Sequence, residues 1–137
     1  MGVRREGREA AVQYLYQCDL NGGIDREAYY KMRGISPSAR RFCDSTLDGF
    51  EPHRQEIDEL VRKGLRNYEL ERLSAVDRNV LRIAAYEILF SEDVPGPVAI
   101  NEAIEIARRF STTESGKFVN GVLDQIQRAG QARKENY

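Results

Sequence analysis

One stretch limits the possible folds of this 137-residue chain more than any other: Val76 to Phe90, VDRNVLRIAAYEILF. Read at helical pitch, Val76, Val80, Ile83 and Ala84, with Leu81, Ala85, Ile88 and Leu89, cover far more than one stripe. A surface helix shows one apolar face; a helix apolar on most sides is covered on most sides by neighbours. Ser74 is the expected N-cap, and Asp77 suits the first turn, where a negative charge meets the helix dipole. The stretch therefore reads as the central post of a helical fold. Its charged residues Asp77, Arg78, Arg82 and Glu87 are expected to emerge as a binding surface.

The flanking sequence supplies helices to lean on that post. Met1 to Glu6 reads as a short polar arm. A helix follows from about Gly7 to Leu20, with Ala11, Val12, Leu15 and Cys18 on its apolar face, Arg8, Gln13 and Gln17 off it, and Asn21-Gly22-Gly23 as its stop. Asp25 to Met32 suits a short helix whose Tyr29 and Tyr30 pack inward. Ser36 and Pro37 open the next, with Ala39, Phe42, Cys43, Thr46, Leu47 and Phe50 as its stripe. Ile57, Leu60, Val61 and Leu65 continue the period beyond Pro52, so the chain there is one kinked helix or two abutting ones. Tyr68 to Leu73 leads into the central helix. After a loop from Ser91 to Pro97, Val98 to Phe110 packs through Ile100, Ala103, Ile104, Ala107 and Phe110. Ser111 to Gly116 reads as a polar loop, Lys117 to about Ala129 as the last helix, and the end as a frayed polar tail. The fold class is all-α, with about seven helices. The length suits a single domain, divided into an N-terminal helical half, residues 1–70, and a C-terminal half, residues 71–137.

Few kinds of chemistry survive a residue census. One histidine, His53, and two cysteines at apolar-face positions, Cys18 and Cys43, supply neither a metal site nor a nucleophile–base pair. His53 is expected in solvent, and Glu102 and Glu105 on a solvated helix face. SGKF at Ser115 to Phe118 resembles the end of a P-loop, but Ser111 stands where the first glycine belongs and Phe118 where the Ser or Thr does. No enzyme activity, cofactor or metal is expected. No apolar run reaches signal-peptide or membrane-spanning length, so the expected location is the cytoplasm, without membrane contact. A net charge of −1 leaves nucleic-acid binding to local clusters. The candidates are Arg4, Arg5 and Arg8 with Tyr16, and Lys117 beside Phe118, because guanidinium and ammonium groups pair with phosphate and aromatic rings stack on unpaired bases. Against these stands a solvated helix start, since Glu6 and Glu9 dilute the arginines.

Three pieces then carry a resemblance: DRNVLRIAAYEI, the VP–x–P–VAINEAIEIA run, and SGKFVNGVLD. With RREGREAAVQYLYQ at the start, which fits an arginine-rich opening and an A–x–Q–x–LY pattern, the chain resembles the NusB family of bacterial transcription antitermination factors. Residues 21 to 70 match only in helical pattern. The resemblance implies two small helical bundles packed together, without a catalytic site. It implies binding of boxA RNA in ribosomal RNA leaders together with the ribosomal protein NusE, within the RNA polymerase antitermination complex. It assigns RNA contacts to Arg4, Arg5, Arg8, Tyr16, Lys117 and Phe118, and the NusE contact to Asp77 and its neighbour Arg78. A homodimer is also compatible with it. The arginine run here is interrupted by Glu6 and Gly7, where family members often have a denser basic block. Two other classes compete with this one. A ribosomal RNA methyltransferase carrying a NusB-like domain would need a glycine-rich cofactor-binding turn, which this sequence lacks. A purely protein-binding helical scaffold would show no affinity for RNA.

Overall fold

The computed structural model describes residues 2–66 and 69–135, with side chains through residue 130. Tyr68 and the final two residues of the expected tail lie outside the described residues. Among the described residues seven α-helices follow one another: α1 (Val3–Asn21), α2 (Arg26–Arg33), α3 (Pro37–Phe50), α4 (Arg54–Gly64), α5 (Ala75–Phe90), α6 (Gly96–Phe110) and α7 (Thr113–Glu135). Among the described residues there is no strand.

Helix α5 is the central post: it packs against α1, α3, α4, α6 and α7. Val80, Leu81, Ile83, Ala84 and Ala85 are all buried, within one hydrophobic cluster that spans both halves of the chain. Ser74 caps α5, accepting from the Asp77 backbone N–H at 3.1 Å. Ser36 does the same for α3, with Pro37 at its first position, and Asp25 caps α2. The left-handed Gly22 (φ 78°) ends α1. Pro52 does not kink one long helix. A single 3-10 turn, Glu51–His53, joins α3 to α4, which suits a residue that cannot donate a backbone hydrogen bond. A second such turn, Leu70–Arg72, precedes α5.

Several sequence expectations are corrected. Helix α1 starts at Val3, so Arg4 and Arg5 are helical residues rather than parts of an arm. Helix α7 starts at Thr113, capped by the Thr112 hydroxyl on the Ser115 N–H at 3.0 Å, and runs to Glu135. The Ser111–Gly116 loop therefore shrinks to two residues. His53 does not stand free in solvent but stacks on Phe90, centroids 3.9 Å apart and planes 9° from parallel. Tyr29, Tyr30 and Cys43 are fully buried as core, while Cys18 is only half-buried. Burial pushes the Tyr29 hydroxyl up to about 12 and the Cys43 thiol to about 11, which keeps both neutral.

The largest correction concerns charge. Arg82 and Glu87 do not emerge from α5; they are 7% and 2% exposed. Helical spacing puts Arg8 off the apolar face of α1, yet it is 4% exposed. Its Nε and Nη2 donate to the two Glu87 carboxylate oxygens, both at 2.7 Å. Further along the same interface, Asp19 of α1 accepts from Arg78, Asn79 and Arg82 of α5, and Arg82 also clasps Asp58 of α4 at 2.8 and 3.1 Å. Burial raises the proton affinity of the Asp19 carboxyl, but the hydrogen bonds from Asn79 and Arg78 and the Arg82 charge outweigh it, so its pKa is lowered. A burial this complete is tolerable only because the charges are paired and hydrogen-bonded. Helical periodicity alone does not show it, because a paired arginine in a core looks like a surface arginine in sequence.

Candidate nucleic-acid interface

Helix α1 approaches α3 closely enough that a Cβ on Gly7 would lie 2.8 Å from both the Ala39 carbonyl oxygen and the Phe42 ring. Glu6 accepts from the Ser36 backbone N–H and hydroxyl, both at 3.0 Å. The two residues that interrupt the arginine run are thus the ones that dock α1 onto α3. This fixes the arginines around them. The Arg4 and Arg8 guanidinium carbons lie 5.9 and 5.3 Å from the centre of the Phe42 ring, an arrangement in which a cation meets the negative face of an aromatic.

Arg4 is exposed and Arg5 is partly so. Arg5 forms a two-pronged pair with Glu102 of α6, Nε–Oε2 2.9 Å and Nη2–Oε1 3.0 Å. Glu102 is therefore not a freely solvated carboxylate: the hydrogen bond from Arg5 holds its pKa below the usual range despite partial burial. One turn along α1, Glu9 accepts from Arg109 at 2.9 Å, but here burial is the dominant influence and the carboxyl is raised. Arg8 lies beneath this surface, and Tyr16 is half-buried two turns further along α1.

The end of α6 connects this patch to the start of α7. Arg108 and Arg109 are both about half exposed. Arg109 reaches α1, while the Arg108 side chain lies against Gly116, where a Cβ would come within 2.9 Å of it. Lys117 follows, 70% exposed and 3.5 Å from Glu114, with Phe118 half-buried beside it. The run Arg4, Arg5, Arg109, Arg108, Lys117 thus follows three helix ends. In sequence, Arg108 and Arg109 suggest only a complement to the helix dipole. Their position just before the turn into Lys117 is the available signal for more.

Asp77 and Arg78 divide. Asp77 shares a hollow of about 590 Å³ with Ser74, Ser115, Lys117 and Phe118. One of its oxygens accepts from Ser115 at 3.2 Å, and the other is buried without a hydrogen-bond partner. Arg78 turns inward instead, donating to Asp19 at 3.0 Å and bracing the carbonyls of Leu73 and Leu70. The proposed partner contact at Asp77 and the proposed RNA contacts at Lys117 and Phe118 therefore border one depression. Among the described residues no group of three or more His, Cys, Asp or Glu could hold a metal, and no helix is long and apolar enough to cross a membrane.

The NusB family model matches residues 5–128. The chain belongs to the NusB family. It is 39% identical over 133 residues to the transcription antitermination protein NusB of Myxococcus xanthus, covering 92% of this chain and 95% of that one. The NusB of Bacillus cereus is 43% identical over 124 residues, covering 90% and 95%. Among solved structures, NusB of T. maritima superposes with a TM-score of 0.80 at 41% identity, over 91% of this chain and 90% of that one. A chain in the crystal structure of antitermination factors NusB and NusE in complex with dsRNA gives 0.83 at 28% identity, over 94% and 98%. The all-α architecture around α5 is thus a NusB fold.

Proposed function

We propose that this protein is an RNA-binding transcription antitermination factor that recognises boxA of ribosomal RNA leaders together with NusE. The observation that carries the reading is the line of exposed and partly exposed cations along the ends of α1, α6 and α7, ending beside Phe118, on a chain whose NusB relative crystallised with NusE and RNA. Arginine forks and a lysine supply phosphate contacts, and Tyr16 and Phe118 supply rings for unpaired bases. Arg8 supports this surface from below by anchoring α1 to α5. Asp77 is the contact for NusE, with Arg78 holding its backbone surroundings in place. No step is catalysed: the protein joins RNA and NusE within the polymerase antitermination complex. The test is a salt-dependent titration of boxA RNA against wild type and an Arg4→Ala, Arg5→Ala double variant. The variant should bind more weakly, with a salt slope shallower by roughly 0.7 for each phosphate it no longer neutralises. Unchanged affinity and slope would place the RNA elsewhere.

A further inference from the structure

Resting on that RNA-binding reading, the glycines of the helices point to a more specific site. Every other glycine inside a helix has a neighbour within 4 Å of where a Cβ would sit: Gly7 meets α3, Gly49 the Tyr86 hydroxyl, Gly64 Val122, Gly96 Gln127, Gly116 Arg108 and Gly130 Leu89. Gly121 has none. It lies in the interior of α7, where glycine is among the least favourable residues, and its own fold does not need the space. What surrounds that space is a hollow of about 270 Å³ between the end of α4 and the first turns of α7. Leu65, Gly121, Arg66, Lys117, Phe118 and Gln125 are among the residues that line it. With the Gln125 amide turned so that its oxygen faces α4, Arg66 donates to it at 2.7 and 3.2 Å, which holds the guanidinium at the edge of the hollow.

We propose that this hollow is a slot for one unstacked nucleobase of single-stranded RNA, lying flat over Gly121 against the edge of Phe118, with the adjoining phosphate between Arg66 and Lys117. A bare stretch of helix backbone lets a planar ring approach more closely than any side chain would allow. Arg66 and Lys117, which line the same hollow, can both pair with a backbone phosphate, and the Gln125 amide can hydrogen-bond to a base edge. The slot extends the RNA path across the Lys117–Phe118 ridge, away from the arginines of α1, onto the α4 side of the molecule.

Two variants test this without touching the α1 surface: Gly121→Leu, which fills the slot with a better helix former, and Arg66→Ala. Each is titrated against boxA RNA with and without NusE, beside a thermal melt. Gly121→Leu should melt at or above the wild-type temperature yet bind RNA about 5- to 150-fold more weakly, the range that removal of one stacked base produces, with an unchanged salt slope. Arg66→Ala should weaken binding and flatten the slope by roughly 0.7. On an RNA whose engaged position, found by an abasic scan, lacks its base, wild type and Gly121→Leu should bind alike. Wild type binding RNA while both variants match it would overturn the slot. Wild type failing to bind RNA under either condition would overturn the functional reading itself, and the slot's occupant with it.

Discussion

Arg8 shows how much one residue's role depends on what it touches. Its charge is almost wholly withdrawn from solvent and satisfied by Glu87. Removing one member of such a pair strands the other, at a cost of about 3–5 kcal/mol, whereas replacing both with apolar groups of similar volume is often neutral or better. Arg8→Met should therefore destabilise the protein by about that amount in urea unfolding, and adding Glu87→Leu should restore most of the stability. A small effect of Arg8→Met alone would mean that the pair contributes little. Asp19 gives a second prediction at this scale. Its pKa is lowered on folding, so the unfolded chain takes up a proton at higher pH than the folded one. The resulting stability is complete above the ordinary aspartate value of about 3.9 and disappears as pH falls through the lower folded value. The stability difference between wild type and Asp19→Asn should accordingly shrink below about pH 4. A difference that stays constant through that range would remove the α1–α5 network from the acid response.

At the scale of elements, the closeness of α1 and α3 follows from one missing side chain. Gly7 costs helix propensity, but its absent Cβ lets α3 approach until backbone and ring nearly touch it. Gly7→Ala should forgo the usual benefit of an alanine and instead destabilise by about 1–3 kcal/mol, because the Cβ would meet a carbonyl oxygen that does not move as a side-chain tip would. It should also shift Arg4 and Arg8 over Phe42, weakening RNA binding along with stability. Raised stability in a thermal melt would show that the helices can slide apart freely. The interruption of the arginine run is thus a docking device: Glu6 binds the start of α3, and Gly7 permits its approach.

At the scale of the whole molecule, the proposed partner contact and the Lys117–Phe118 ridge border the same depression. NusE seated at Asp77 would therefore lie next to bound RNA, and the two should bind with positive coupling. Coupling is reciprocal: if NusE tightens RNA, RNA tightens NusE by the same factor, typically about 5–150-fold for about 1–3 kcal/mol. Asp77→Lys should weaken NusE binding in calorimetry while sparing the RNA affinity of the protein alone. Equal RNA affinity with and without saturating NusE would end the coupling claim.

Helical periodicity is enough to place the post and the order of the helices around it, though not the starts of α1 and α7. An apolar surface that wraps most of Val76–Phe90 has no stable place except among other helices, and local chemistry at Ser36, Ser74, Pro37 and Gly22 marks helix ends wherever it occurs. The motifs at both ends were enough to indicate the family. Which charges stay exposed follows from the packing of helices distant in the chain. Arg4, Arg5 and Arg8 are near neighbours in sequence, yet one is exposed, one is held by Glu102 and one is buried on Glu87, because those carboxylates lie 97 and 79 residues further along the chain. The same holds for the space above Gly121, which is defined by the end of α4 across from α7. Periodicity reports which way a side chain points from its own helix; the distance to an opposite charge or a vacant hollow depends on how helices distant in sequence pack together.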